Sequence, residues 1–118
     1  MKSQSVRKKF MLEFVTQRAA VRQKKLTGLA PRDERLLDIV ALAYVRKERL
    51  SVKDLMSKSE LGSPAVIHQR MKFLIADKLI ELQDTEDTRR YQVAPTEKLL
   101  NYFDALGKAI YDLLGKNR

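Results

Sequence analysis

Apolar residues recur along most of the chain at helical spacing. Val6, Phe10, Phe14 and Val21 stand 4, 4 and 7 residues apart, and Met11 and Val15 widen the stripe. This predicts a helix over residues 5–26, ended by Gly28. Pro31 suits a first helical position, with Asp33 and Glu34 favourable in the first turn. Leu36, Leu37, Val40, Ala43 and Tyr44 then mark the inner face of a second helix, ending near Arg46–Arg49. Ser51-Val52-Lys53-Asp54 approximates a capping box and opens a short third helix. After a turn from Ser57 to Gly62, Ser63-Pro64 supplies an N-cap and a first-turn proline for a fourth helix running to about Asp77. Ile67, Met71 and Leu74 fall at i, i+4 and i+7 and predict its buried face.

The pattern then changes period. Leu79-Ile80-Glu81-Leu82 and Tyr91-Gln92-Val93-Ala94 read as short strands, with Ile80 and Leu82 sharing one face and Tyr91 and Val93 another. Between them Gln83 to Arg90 are all polar, which predicts a hairpin with a long solvated tip. Pro95-Thr96 opens a last helix, where Leu99, Phe103, Leu106, Ile110 and Leu113 are spaced 4, 3, 4, 3.

Composition narrows the class. The 118 residues are 44% hydrophobic and 33% charged, which fits a folded globular chain with one core. No apolar run approaches the roughly 20 residues of a membrane span. The run Phe10-Met11-Leu12 is too short for a signal-peptide core, so a cytoplasmic location is expected. Cysteine is absent and His68 is the only histidine, which excludes thiolate chemistry and a histidine-built metal site in one chain. There is no Gly-rich phosphate loop and no paired acid and base, so neither catalysis nor a cofactor is expected. The net charge is +9, of which residues 1–30 carry +7. A basic arm of this kind favours a polyanionic partner.

Two helices joined by a tight turn and followed by a hairpin describe a winged helix-turn-helix. Three stretches resemble the MarR family of bacterial transcriptional regulators. Ser51 to Leu55 resembles its brace helix, and Ser63 to Ile80 resembles its recognition helix running into the wing. Asp87-Thr88-Arg89-Arg90 followed by Pro95-Thr96-Glu97-Lys98 resembles its Asp-x-Arg wing and the start of the next helix. Three departures stand out. Lys78 occupies a position where the family usually has glycine, and Lys98-Leu99 replaces another. One helix follows the wing, where typical members continue into further dimerisation helices; the resemblance therefore does not carry over an effector pocket between such helices, and no small-molecule effector is identified.

The expected fold is mainly α, organised as a basic dimerisation arm at 1–28, a winged helix-turn-helix DNA-binding domain at 29–95, and a C-terminal dimerisation helix at 96–118. The outward side of the recognition helix would present Ser63, Ala65, Val66, His68, Gln69 and Lys72 to the major groove of double-stranded DNA. Asp87 would orient Arg89, and Arg89 and Arg90 would reach a minor groove. Ser51 and Lys53 would meet phosphate at the brace helix. Phe10, Phe14, Leu99, Phe103, Leu106, Ile110 and Leu113 would join two copies into a homodimer. The function expected is a sequence-specific regulator, a repressor being the family's commoner role. Two other classes stay open: a winged-helix module that binds protein, supported by the balance of seven bases and seven acids in residues 51–94, and an architectural or RNA-binding protein led by the basic arm.

Overall fold

The structure, a computed structural model, describes residues 2–85 and 91–116, and side chains from residue 5 onward. The chain forms two compact units. One, Leu29–Leu99, is built from the middle of the chain; the other combines Met1–Gly28 with Leu100–Arg118.

In the first unit, helix α2 (Pro31–Val45) begins at Ala30, whose extended backbone turns into Pro31. Lacking a side-chain acceptor, Ala30 instead donates its N–H to Asp33 Oδ2 at 2.9 Å. The helix ends at Val45, with Arg46 as its C-cap, beside the end expected near Arg46–Arg49. Lys47 takes a left-handed backbone, φ 56°, so that its N–H reaches the Tyr44 carbonyl and the Glu48 N–H reaches that of Ala43. This is a Schellman ending with lysine at the position glycine usually takes. Leu50 and Ser51 then run beside the wing: the Val93 N–H donates to the Leu50 carbonyl at 2.7 Å, and Ser51 pairs with Gln92.

Helix α3 (Val52–Met56) carries a complete capping box. The Asp54 N–H donates to Ser51 Oγ at 2.9 Å, and the Ser51 N–H donates to Asp54 Oδ2 at 3.1 Å. A single 3₁₀ turn, Ser59–Leu61, occupies the predicted turn and buries Leu61. Helix α4 (Pro64–Ala76) leads into an antiparallel pair, β1 (Ile80–Asp84) and β2 (Tyr91–Pro95), in register Leu82 to Val93. Gln83 and Asp84 thus belong to the strand and not to the tip. Ile80 and Val93 are buried, whereas Leu82 and Tyr91 farther out on the same face are exposed. The wing leaves the core within a few residues, faster than alternation alone suggests. Leu36, Val40, Leu55, Leu61, Ile67, Leu74, Leu79 and Leu99 fill the core of this unit.

Helix α5 (Glu97–Lys116) starts in this unit and continues into the other. Thr96 begins it: its Oγ1 accepts the Leu99 N–H at 3.3 Å while its hydroxyl donates to the Lys78 carbonyl at 2.6 Å. The second unit holds helix α1 (Lys2–Lys25) and the remainder of α5. On α1, Phe10, Phe14 and Val21 are half-buried, while Val6, Met11, Leu12 and Val15 are exposed. On α5, Tyr102 and Leu113 are buried, Phe103, Leu106 and Ile110 are half-buried, and Tyr111 and Leu114 are exposed. No helix among the described residues is long and apolar enough to cross a membrane.

Candidate nucleic-acid interface

The turn before α4 depends on Gly62. Its φ of 121° with ψ −167° is a backbone region reserved for glycine. The chain then enters the helix through Ser63, whose Oγ accepts the Val66 N–H at 3.3 Å, and through Pro64 at the first turn. Ile67, Met71 and Leu74 point into the core and are buried. On the other side, Ser63, Ala65, His68, Gln69 and Lys72 are exposed and Val66 is half-buried. Phe73 adds an exposed aromatic ring to this side. The accessible side carries amide, imidazole and ammonium groups and no carboxylate, a set suited to base edges and phosphates.

Arg70 stands between the two sides and is committed elsewhere. Its Nε donates to Asp33 Oδ1 at 2.7 Å and its Nη2 to Asp33 Oδ2 at 2.5 Å. The Asp33 side chain is fully buried and that of Arg70 is 29% exposed. Hydrogen bonding to Asp33 raises the Arg70 pKa above its ordinary value. Its guanidinium also lies 4.5 Å from the centre of the Phe73 ring. The pair fastens the first turn of α2 to the middle of α4. Sequence reasoning misses this: Asp33 reads as a helix-start acid and Arg70 as one base among many, and nothing local joins residues 37 apart.

The residues expected to contact phosphate, Ser51 and Lys53, lie at the brace helix. The Ser51 N–H donates to Asp54 Oδ2 and Ser51 Oγ accepts the Asp54 N–H, so only the Ser51 hydroxyl proton is left for a phosphate. The bond from the Ser51 N–H, then the Ser51 hydroxyl, holds the Asp54 carboxyl below the usual aspartate range. An ionised carboxylate therefore fills the helix start where a phosphate was expected. Lys53 remains exposed.

Charge divides between the units. Residues 29–99 hold thirteen bases and twelve acids, net +1, and the remaining residues hold eleven bases and three acids, net +8. No group of three or more His, Asp or Glu side chains suited to a metal occurs among the described residues.

No family model matches the sequence, and no curated protein matches it. Solved structures do. The transcriptional regulator Tm0710 from Thermotoga maritima is 19% identical, covering 97% of this chain and 75% of that one, with a TM-score of 0.65. MepR from S. aureus, solved bound to ethidium bromide, is 16% identical over 96% of this chain and 77% of its own, with a TM-score of 0.66. RV1404 from Mycobacterium tuberculosis is 14% identical over 97% and 74%, with a TM-score of 0.63. The chain shares the winged-helix fold of these three structures.

Lys78 and Lys98, the two departures from the glycines expected by resemblance, each have a structural consequence. Lys78 is left-handed, φ 62°, and closes α4 as a Schellman motif through Lys78 N–H to Ile75 and Leu79 N–H to Leu74, both at 2.9 Å. An L-residue there costs about 1–2 kcal/mol. Lys98 acts on the same helix end: its Nζ donates to the Asp77 carbonyl at 2.9 Å and lies 3.5 Å from Asp77 Oδ1. A cation and the Thr96 hydroxyl thus satisfy carbonyls at the junction of α4 with the wing.

The wing residues Asp87, Arg89 and Arg90 lie outside the described residues. Of the side chains expected between two copies, Phe10, Phe14, Phe103, Leu106 and Ile110 keep part of their surface. Leu99 and Leu113 are buried within the single chain. The 4-3-4-3 spacing identifies a buried face without saying what buries it. On these two helices the most exposed large apolar side chains are Val6, Met11, Leu12, Val15, Tyr111 and Leu114.

Proposed function

We propose that the chain is a sequence-specific, DNA-binding transcriptional regulator that acts as a homodimer and represses by covering a promoter. The observation that carries this reading is the two-sidedness of α4. Ile67, Met71 and Leu74 are sealed beneath the helix, while Ala65, His68, Gln69 and Lys72 stand open above it. Gln69 has the two-pronged geometry that pairs with adenine, and Lys72 reaches guanine or phosphate. Ser63, Ala65 and Val66, at the helix start, meet phosphate and thymine methyl groups. Arg89, oriented by Asp87, and Arg90 extend the contact to a flanking minor groove.

Dimerisation follows from apolar surface. Leaving a large apolar side chain wet forgoes roughly 1.5–3 kcal/mol. The exposed Met11, Leu12, Val15, Tyr111 and Leu114 on α1 and α5 favour a second copy as their cover. A two-fold pair would set two α4 helices about 34 Å apart, one duplex turn, and would read a palindrome. The test is selection of bound sites from a random duplex pool, followed by light scattering on the free protein. Enriched palindromic sites and a two-chain mass support the reading; an unenriched pool refutes the regulator, and a one-chain mass refutes the dimer.

One observation favours a second reading. A net charge of only +1 on Leu29–Leu99 is weak for a phosphate-binding unit and suits a surface that binds protein. Absence of duplex binding at low salt would select that reading.

A further inference from the structure

The charge missing from the winged-helix unit is concentrated in the helical one, and there it is gathered around a concavity. Helices α1 and α5 border a cleft of about 350 Å³. Four lysines wall it: Lys24 and Lys25 from the last turn of α1, and Lys108 and Lys116 from α5. Ala105 and Ala109 on α5 are small enough to leave the space. The one acid lining the cleft, Asp112, is already paired with Lys108 at 3.0 Å. Lys24, Lys25 and Lys116 have no carboxylate partner among the described residues. Basic residues in a last helical turn also complement the helix dipole, but that accounts for Lys24 and Lys25 and not for Lys108 eight residues before the end of α5. Four ammonium groups from two helices around one channel, with a single compensated acid, match a run of phosphates better than a single small anion.

We infer that the lysine-walled cleft between α1 and α5 binds the phosphodiester backbone of duplex DNA and supplies the sequence-blind part of affinity that the winged-helix unit lacks. The inference rests on the proposed DNA-binding reading, and it divides the labour: α4 selects the site, and the cleft supplies attraction. Each lysine that neutralises a phosphate releases counterions and adds about 0.9 to the slope of log affinity against log salt.

The experiment uses the full chain and a variant with Lys24→Gln, Lys25→Gln, Lys108→Gln and Lys116→Gln. Anisotropy titrations on the selected duplex and on a scrambled duplex of equal length, between about 50 and 200 mM salt, give the slope for each. The inference expects the variant's slope to fall by about 3–4 per bound copy, about 7 for a dimer, on both duplexes, with the preference between them kept. The matching Lys→Arg variant keeps the slope, and a circular dichroism melt of the Gln variant that matches wild type excludes a folding defect as the cause. An unchanged slope in the Gln variant overturns the inference while leaving α4 as reader. A drop in mass by light scattering with an unchanged slope likewise overturns it and assigns the lysines to the contact between copies. Wild type that binds both duplexes equally, with a slope that falls in the variant, sinks the regulator and keeps the cleft. Wild type that binds neither duplex sinks both.

Discussion

Replacing Arg70 with methionine removes the guanidinium and keeps most of the side-chain volume. It leaves the Asp33 carboxylate fully buried, with the Ala30 N–H at 2.9 Å as its remaining donor among those described above. Breaking a buried pair in this way costs about 3–5 kcal/mol. Because the Arg70 side chain is 29% exposed, the pair is only partly desolvated, and the lower end, about 3 kcal/mol, is expected. Asp33→Asn acts differently: it keeps an acceptor for Ala30, and the orphaned guanidinium has access to water. Its expected cost is about 1–2 kcal/mol. The double variant should fall short of the sum by about 0.5–3 kcal/mol, since each change removes the same interaction. Urea unfolding followed by circular dichroism at one fixed protein concentration measures all three. With a slope near 1–3 kcal/mol/M, Arg70→Met should lower the midpoint by roughly 1–3 M. A loss under about 1 kcal/mol for Arg70→Met, or strict additivity in the double variant, would refute the claim that this pair fastens α2 to α4.

Gly62→Ala should destabilise by about 1–3 kcal/mol in the same assay, because φ 121° excludes a side chain even though Val66 Cγ1, at 3.4 Å, leaves nearly enough room. Lys78→Gly should stabilise, by a few tenths to about 1 kcal/mol, as relief of the left-handed strain outweighs the greater freedom of glycine in the unfolded chain; a lower urea midpoint would contradict the strain. Asp54 has a folded pKa below its ordinary 3.8, so its contribution is whole above that value and is lost as pH falls through the lowered one. Asp54→Asn should therefore be less stable than wild type near neutrality and should lose less between about pH 5 and pH 2, measured as the change in urea midpoint.

Most of the winged-helix unit is written locally. Pro31, the Ser51–Asp54 box and Ser63-Pro64 each announce a helix start within four residues, and the spacing of Ile67, Met71 and Leu74 separates the inner from the outer side of α4. What escapes the sequence is non-local or improbable. The Arg70–Asp33 pair joins two helices with no shared pattern. Leu50 and Ser51 pair with β2 across two residues, too few to alternate. The helix end near Lys47 is expected, but lysine disfavours a left-handed backbone, so nothing in the sequence marks Lys47 as left-handed; at Lys78 the glycine expected by resemblance gives the only hint. On α5 the seam is legible but its partner is not. Leu113 is spent inside the chain, whereas Tyr111 and Leu114, off the main stripe, are the most exposed large apolar side chains.

The outward side of α4 as the reader of bases is tested most directly by Gln69→Ala on the selected duplex and on its scrambled counterpart. The account predicts a loss of about 1–3 kcal/mol on the selected site, roughly fivefold to 150-fold, with scrambled binding and salt slope unchanged. Equal affinity of variant and wild type for both duplexes, when repeated with Lys72→Ala and His68→Ala, would contradict it.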